Sequence, residues 1–302
     1  MLLIDGPMGS ELSRRGVATP APGWSAYAIE SHPEVVAAIH EEYARAGAHL
    51  HRGNTFRAQP RIFRSRYEEL VRRAHALLHG AVGDRPDGKT PWLVGCLAPV
   101  EDCYRPYLSP PEPTARRAHR QVAEALKGAG FDTILCETFP HGGEARIAVE
   151  EAVRTGLVTW VSLTAGPDGT LMTPEAMESA ARDCVAAGAS AVLVCCTSAT
   201  KTLAYVDRLA RIAVPIGAYA NAGEPTSGLG WDAEPTRAAA AYADLAAEWI
   251  ASGASMIGSC CGTGPAHIAE LALRISTRRS FAPRPSSKPP GQRSSPPRAT
   301  RR

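Results

Sequence analysis

The sequence predicts an α/β fold, a single (β/α)8 barrel (TIM barrel), across residues 1–276. Three observations favour it. A unit of Ala-rich amphipathic helix, glycine stop and short apolar strand recurs along the chain. The interval from Gly130 to Gly156 is 26 residues, enough for one βα unit, and that from Gly188 to Gly253 is 65, enough for two. About eight strands alternate with helices within about 275 residues, as such a barrel requires.

Short apolar runs predict the strands, which lie at residues 2–5, 48–52, 92–96, 133–137, 159–163, 191–195, 216–219 and 255–258. Amphipathic stretches between them predict helices at 33–46, 67–79, 113–128, 174–187 and 237–251, with a final helix around His267. Glycine adopts the left-handed conformation of a helix end without steric cost. A glycine follows the predicted end of five helices, at Gly47, Gly130, Gly156, Gly188 and Gly253.

An open, doubly wound sheet is the structural alternative. Such a sheet usually carries a glycine-rich phosphate turn after its first strand. The turn here reads Asp5-Gly-Pro-Met-Gly9, which lacks that fingerprint. The barrel is therefore preferred.

The composition is that of an ordinary globular protein, with 44% hydrophobic and 21% charged residues among 302. No apolar run approaches the roughly 18 residues of a membrane span, and the N-terminus has no signal-peptide pattern. Eight cysteines, irregularly spaced outside two adjacent pairs, do not form a secreted disulfide framework. We therefore expect a cytoplasmic enzyme.

Residues 277–302 form a tail rich in Pro, Ser and Arg. This tail holds eight basic residues and no acidic one, so the formal net charge of +3 becomes −5 for residues 1–276. It buries too little apolar surface to fold, which predicts a disordered extension. Its charge is weak support for a nucleic-acid partner, and we expect the barrel to bind small molecules.

Reactive side chains follow the ends of five predicted strands. They are Asp5, the pair Asn54-Thr55, Glu137, the pair Cys195-Cys196 and the pair Cys260-Cys261. The C-terminal ends of barrel strands meet at one rim, where such enzymes place their chemistry. The sequence therefore predicts a single site formed by these residues.

Cys196, Cys260 and Cys261 are the candidate metal ligands. Zinc prefers thiolates in a tetrahedral array, and a catalytic site keeps one position open. A free thiol with a pKa of ~8.5 is only about 3% ionised at pH 7, whereas a metal-bound thiol is deprotonated. The predicted reaction is therefore alkyl transfer onto the sulfur of a substrate thiol. The remaining cysteines are predicted to pack as small apolar side chains: Cys96, Cys103, Cys136 and Cys184.

Two carboxylates at the rim suggest what else the substrate carries. Asp5 and Glu137 could hold an ammonium group, and backbone N–H groups of residues 6–9 could hold a carboxylate. The implied acceptor is an amino acid with a thiol. An Asp-Gly pair is also typical of a plain turn, so Asp5 has a structural interpretation as well.

Five motifs resemble those of the homocysteine S-methyltransferase family. They occur in order as Asp5-Gly-Pro-Met-Gly-Ser-Glu-Leu12, Asn54-Thr-Phe56, Glu137-Thr138, Cys195-Cys-Thr197 and Gly258-Ser-Cys-Cys-Gly-Thr263. Together they extend over roughly residues 2–275, and the last is highly specific. The resemblance implies a (β/α)8 barrel with zinc held by three thiolates, Cys196, Cys260 and Cys261. It also implies a substrate site made by Asp5, Gly6, Met8, Asn54 and Glu137.

The chain departs from the family pattern at four positions. Cys195 stands where Asn is usual, Gly53 stands where Thr or Ser is common, and Ser259 replaces a glycine. Pro7 has no N–H to offer a substrate carboxylate. None of these changes removes a metal ligand, but the acceptor could be homocysteine or another thiol.

The expected enzyme is a zinc-dependent homocysteine S-methyltransferase that produces methionine. The predicted mechanism is in-line attack of the activated thiolate on the methyl group of a small onium donor. S-methylmethionine and S-adenosylmethionine come first and betaine next, and a donor that leaves neutral needs no acid catalyst. Trp24, Phe56 and Tyr219 are candidate aromatic faces for the donor cation, with ordinary packing as the alternative.

Two other functions stay open. A metal-dependent hydrolase on the same barrel could use His49 and His51, which share one face of the second strand. No late strand ends in a histidine to complete that site. A non-catalytic protein that binds zinc or thiols could use the same cysteines.

Overall fold

Eight parallel strands form the centre of the computed structural model, which describes residues 1–83, 90–231 and 233–280. The strands are β1 (Leu2–Leu3), β2 (Leu50–Arg52), β3 (Trp92–Leu97), β4 (Thr133–Phe139), β5 (Val158–Leu163), β6 (Ala191–Ser198), β7 (Ile216–Asn221) and β8 (Met256–Ser259). Their order in the sheet is β1-β8-β7-β6-β5-β4-β3-β2. A parallel bridge between Ile4 and Leu50 joins the two edges. The predicted (β/α)8 barrel is therefore confirmed, and the open doubly wound sheet is excluded.

Helices alternate with the strands around this barrel. Those described are α1 (Met8–Arg14), α2 (Ala28–Ser31), α3 (Pro33–Arg45), α4 (Pro60–Phe63), α5 (Tyr67–Val82), α6 (Glu112–Ala129), α7 (Gly142–Val153), α8 (Pro174–Ala186), α9 (Ala199–Leu209), α10 (Pro235–Ala251) and α11 (Pro265–Ser280). The predicted helices lie within three residues of α3, α5, α6, α8 and α10. None of the helices in the described ranges has the length and apolar composition to cross a membrane.

Glycines end the helices where the sequence predicts it. Five of them have positive φ, between 80° and 109°: Gly47, Gly130, Gly156, Gly188 and Gly253. At the end of α6, the N–H of Gly130 donates to the carbonyls of Leu126 and Lys127. At the start of α8, the hydroxyl of Thr173 accepts from the N–H of Ala176, and Pro174 occupies the first turn. These local signals set the repeat length that closes the barrel.

The core has two parts. The larger lies between the sheet and the helices and includes Leu97, Phe139 and Trp249. The smaller fills the inside of the barrel, from apolar side chains such as Leu50 and Leu193 up to the sulfurs of the cysteine pairs. The thiols therefore form the top layer of the barrel interior.

The last helix and five of the strands extend beyond their predicted ends, the strands by one to three residues. β4 and β6 continue to Phe139 and Ser198, past a shift in register in each strand. Helix α11 runs to Ser280, beyond the predicted barrel boundary at residue 276. The rest of the predicted tail, residues 281–302, lies outside the described residues.

Candidate functional site

A cavity of about 400 Å³ opens at the C-terminal ends of the strands. Its lining includes Asp5, Arg52, Glu137, Cys196, Cys260 and Cys261. The structure thus brings together the predicted metal ligands and the two predicted carboxylates. It adds Arg52, which the sequence analysis did not single out.

Two backbone irregularities shape this rim. Thr138 in β4 and Cys196 in β6 have left-handed backbones, with φ of 63° and 49°. Each lies where its strand changes register against the next. In a regular strand, successive side chains point to opposite faces. A bulge re-aims them, and Glu137 and Thr138 accordingly both line the cavity.

The sulfurs of three cysteines meet at the cavity wall. The Cys196 and Cys260 sulfurs are 3.1 Å apart, and the Cys260 and Cys261 sulfurs are 3.9 Å apart. All eight cysteines of the chain lie in the described ranges as free thiols. Hydrogen bonds from Cys196 and Cys261 hold the pKa of the Cys260 thiol well below its usual range. The three sulfurs therefore form one group, with the pKa of Cys260 lowered by its two neighbours.

This group fits a zinc ion by its chemistry and nearly by its spacing. As placed, no set of three or more His, Cys, Asp or Glu side chains in residues 1–83, 90–231 and 233–280 is arranged around a metal position. Zinc–thiolate bonds of about 2.3 Å at tetrahedral angles put sulfurs about 3.8 Å apart. The Cys260–Cys261 distance of 3.9 Å meets that value, and the Cys196–Cys260 distance of 3.1 Å must widen.

The fourth nearby thiol, Cys195, packs in the barrel interior. Its sulfur accepts a hydrogen bond from the Ser162 hydroxyl at 2.9 Å and lies 3.4 Å from the Thr138 hydroxyl. Ser162 in turn is 2.5 Å from the Tyr219 hydroxyl. Cys195 is fully buried, and these contacts occupy its sulfur. These contacts are those of a packed, buried side chain.

Arg52 holds both predicted carboxylates. Its Nε donates to Asp5 at 2.7 Å, and its Nη1 donates to Glu137 at 2.9 Å. Its Nη2 lies within 3.0–3.2 Å of the carbonyl oxygens of Asp5, Gly6 and Ser259. Arg52 follows Leu50 by two residues in β2, so the two side chains share the face that points into the barrel. The strand alternation was the available sequence signal for this residue.

Burial shapes the charges of this cluster. Burial raises the pKa of Asp5 to about 6, against the attraction of Arg52. For Arg52 burial acts in the opposite direction, but the charges of Asp5 and Glu137 outweigh it and hold its pKa well above its ordinary value. The guanidinium also lies 4.6 Å from the centre of the Tyr219 ring. Arg52 is therefore a permanent positive charge inside the site.

The other predicted substrate residues surround the same cavity. Gly6, Met8 and Asn54 line it. The Asn54 side chain both accepts from the Ser25 hydroxyl at 2.7 Å and donates to the Ser25 carbonyl at 2.8 Å. Gly6 is required by close packing, because a Cβ there would lie 2.4 Å from the Tyr43 ring. Asn54 thus ties the turn at residues 24–27 to the rim.

Histidines play different parts from the one a hydrolase needs. His49 Nδ1 accepts the backbone N–H of Leu3 at 3.0 Å, so it helps to hold β1. His51 is buried outside the residues that line the cavity. His40, on α3, does line the cavity, and within the described part of the chain neither of its ring nitrogens has a hydrogen-bond partner. Burial, His51 and Arg52 lower its pKa to about 3, so it is neutral.

The three candidate aromatic faces are used unequally. Trp24 and Phe56 line the cavity and stack at 5.9 Å with an interplanar angle of 17°. Tyr219 faces Arg52, and its hydroxyl donates to Glu137 at 3.0 Å. The Arg57 guanidinium likewise lies 5.3 Å from the centre of the Trp24 ring. Among the described residues, Phe56 is therefore the one of these three rings that faces no cation.

Two predicted packing cysteines also belong to the site. Cys96 and Cys103 are buried, as expected, but they line the cavity. Cys136 and Cys184 lie in the core between sheet and helices. Cys96 lies near the C-terminal end of β3, where the strand itself places it at the rim. Cys103 lies in the loop after β3, and nothing in its spacing signals how that loop folds.

Comparisons with known proteins agree with the site. A family model described as homocysteine S-methyltransferase matches residues 2–275. Homocysteine S-methyltransferase of Escherichia coli (strain K12) is 30% identical over 307 residues, covering 91% of this chain and 95% of that protein. Betaine–homocysteine S-methyltransferase 1 of Mus musculus is 26% identical, covering 95% of this chain and 75% of that protein.

A solved structure agrees as well. The metallated form of the homocysteine methyltransferase MmuM of Escherichia coli superposes with a TM-score of 0.75 at 26% identity, covering 91% of this chain and 96% of that one. The resemblance in the five motifs is thereby confirmed. Because the family model spans nearly all of the described barrel, this chain belongs to the homocysteine S-methyltransferase family.

Proposed function

We propose that the protein transfers a methyl group from a small onium donor to the sulfur of a thiol, with homocysteine as the first acceptor to test and methionine as its product. The observation that carries this proposal is the meeting of three thiols from two strands, Cys196, Cys260 and Cys261, on the wall of one cavity. The hydrolase alternative is based on His49 and His51, and neither of them lines this cavity. Free thiols also favour a reducing compartment such as the cytoplasm.

Zinc is the metal that this set of residues suits. Cys196, Cys260 and Cys261 would hold it, since thiolate ligands select zinc over oxygen-preferring ions. When bound, it supplies a means of keeping a substrate thiol deprotonated at neutral pH. The similar solved structure of MmuM is a metallated form, which supports a bound metal without identifying the element.

The chain's own residues arrange the reaction. The acceptor sulfur attacks the methyl carbon, a new sulfur–carbon bond forms, and the bond from that carbon to the donor's positive sulfur or nitrogen breaks. The electron pair of the broken bond stays with the donor, which leaves neutral, and the thiol proton passes to solvent. No acid is needed for such a leaving group. The cavity walls then serve to align the two substrates, which is a large part of catalysis in a two-substrate reaction.

The donor side of the cavity is aromatic. Phe56 offers a ring face that no cation of the described residues occupies, with Trp24 stacked beside it. An onium methyl group is attracted to such a face. S-methylmethionine and S-adenosylmethionine are the first donors to test. Betaine follows because a betaine–homocysteine S-methyltransferase is among the relatives.

A donor screen tests the proposal. The purified full chain, loaded with zinc, is incubated with homocysteine and each donor carrying a trideuterated methyl group, and labelled methionine is measured by mass spectrometry. We expect labelled product with at least one onium donor and none with the Cys260→Ser variant. Stoichiometric zinc bound through thiols with no methyl transfer to any thiol would instead favour a zinc- or thiol-binding protein.

A further inference from the structure

A positive side chain stands where a substrate ammonium would be recognised. In the described site, the carboxylates that line the cavity are Asp5 and Glu137. A substrate α-ammonium group bound there would need one of them as its ion-pair partner. Arg52 lies between the two and pairs with both, at 2.7 Å and 2.9 Å. All three side chains are at least nine-tenths buried.

The carboxylate oxygens already accept from this arrangement. Asp5 Oδ1 accepts from the Arg52 side chain, and Oδ2 accepts from the Arg52 backbone N–H at 2.9 Å. Glu137 Oε1 accepts from Arg52 and from the Tyr219 hydroxyl at 3.0 Å. Three of the four oxygens therefore have donors supplied by the protein. An ammonium arriving here would compete with those donors and lie beside a like charge.

Arg52 cannot easily move aside. Its Nη2 is within hydrogen-bond distance of three backbone carbonyls, those of Asp5, Gly6 and Ser259. The Tyr219 ring lies 4.6 Å from the guanidinium carbon. A guanidinium also stays charged at every pH that a folded protein tolerates. The positive charge is thus fixed in place.

We propose that Arg52 is a specificity-determining residue that directs the enzyme toward thiol acceptors without an α-ammonium group. The proposal rests on the methyl transfer proposed above and narrows its acceptor. An acceptor of this class keeps the sulfur and the carbon chain and brings no positive charge to the Asp5–Arg52–Glu137 cluster. Homocysteine is then expected to be a poorer acceptor than the same thiol without its α-ammonium group.

The wild-type enzyme gives the first test. Homocysteine and 4-mercaptobutanoate differ only in the α-ammonium group, and kcat/KM is measured for each with the same donor. We expect 4-mercaptobutanoate to be favoured by roughly tenfold or more. Equal values, or a preference for homocysteine, would overturn the proposal while leaving methyl transfer intact.

Variants test whether the carboxylates of Asp5 and Glu137 pair with Arg52 or with a substrate ammonium. Arg52→Gln should raise the kcat/KM for homocysteine relative to 4-mercaptobutanoate by roughly tenfold, since it frees the carboxylates. Arg57→Gln is the matched control, because Arg57 is a buried arginine that donates to the backbone carbonyls of Pro22 and Glu101. Arg57 also lies 5.3 Å from the Trp24 ring on the donor side, so its loss acts equally on both acceptors. It should leave the ratio unchanged. An unchanged ratio in Arg52→Gln would contradict the proposal.

Glu137→Gln gives a readout that does not depend on how well the Arg52 variant folds. If Glu137 serves Arg52, the substitution should alter both acceptors by the same factor. A selective loss for homocysteine would mean that Glu137 binds the substrate ammonium, and the proposal would be wrong.

Binding separates this proposal from the proposed function. Calorimetric titration of the zinc-loaded protein with each thiol ranks them without turnover. Absence of methyl transfer to either thiol would refute the proposed function, yet tighter binding of 4-mercaptobutanoate would still uphold the role of Arg52. Homocysteine binding as tightly or more tightly would overturn it.

Discussion

The hydroxyl oxygen of Thr138 lies 3.5 Å from the sulfur of Cys196, and both residues have left-handed backbones. Each stands at a register shift near the C-terminal end of its strand, in β4 and β6 respectively. A positive φ is unusual for a β-branched residue such as threonine. Strained residues of this kind persist where the surrounding structure holds them, often at functional sites. The two bulges together turn a carboxylate and a thiol toward one cavity.

Replacing Thr138 by glycine tests that strain. Thr138→Gly should change the free energy of unfolding by less than about 1 kcal/mol, because relief of about 1–3 kcal/mol of backbone strain offsets the lost contacts. Thr133→Gly, in the regular part of β4, should cost at least about 2 kcal/mol, because it relieves no strain and removes the hydroxyl that accepts from Trp92. Urea unfolding of both variants measures the difference. Equal losses would show that Thr138 is not strained.

The cysteines should divide into ligands and a packing residue. Serine at position 196, 260 or 261 should reduce zinc content and lower methyl transfer by roughly 100-fold or more, since a hydroxyl does not replace a thiolate ligand. Cys195→Ser should keep zinc, because the Cys195 sulfur is occupied by Ser162 and Thr138. Metal analysis of the four variants decides the assignment. Zinc lost from Cys195→Ser and kept in Cys196→Ser would exchange the roles of these neighbours.

Stability at acid pH should depend on His40. Burial, His51 and Arg52 lower its pKa to about 3, whereas the unfolded chain takes up this proton near pH 6.5. The contribution of neutral, buried His40 to the free energy of unfolding is therefore fully present above pH 6.5. It is lost as the pH falls below that value. His40→Leu removes the effect, so its stability relative to wild type should rise by about 2 kcal/mol between pH 7 and pH 5.

Urea unfolding at the two pH values checks the His40 prediction. Asp5, whose pKa burial raises to about 6, contributes a slope of the opposite sign. That slope is common to wild type and variant and cancels in the difference. Parallel pH profiles for the two proteins would mean that His40 binds its proton in the folded state.

Close packing of β8 against the chain at Ile4, next to β1, should depend on Gly258. A Cβ at this position in β8 would lie 2.6 Å from the Cβ of Ile4 and 3.0 Å from its carbonyl oxygen. Gly258→Ala should therefore destabilise the fold by about 2–3 kcal/mol, because the backbones of β1 and β8 must move apart. Gly128→Ala, on an open face of α6, should stabilise it by about 0.5–1 kcal/mol. Thermal unfolding compares the two. A neutral effect of Gly258→Ala would show that the packing between Gly258 and Ile4 is loose.

The sequence by itself determined the barrel and the set of residues at its rim. Helix ends at Gly130 and Gly188, and apolar runs of strand length between helices, are local signals that act within a few residues. Parallel strands then bring their C-terminal ends to one edge whatever the side chains are. This is why Asp5, Glu137 and the cysteine pairs could be assigned to one site from spacing alone.

Only the tertiary structure decided how those residues pair. Whether Asp5 and Glu137 await a ligand or already hold Arg52 depends on contacts between strands that are far apart in the chain, at separations of 47 and 85 residues. The bulges at Thr138 and Cys196 likewise follow from how neighbouring strands and helices fit together. So does the ring of His40, whose nitrogens have no hydrogen-bond partner within the described residues. These arrangements depend on whether the pairing of charged groups offsets the free-energy cost of burying them. Both terms arise only when the barrel has closed.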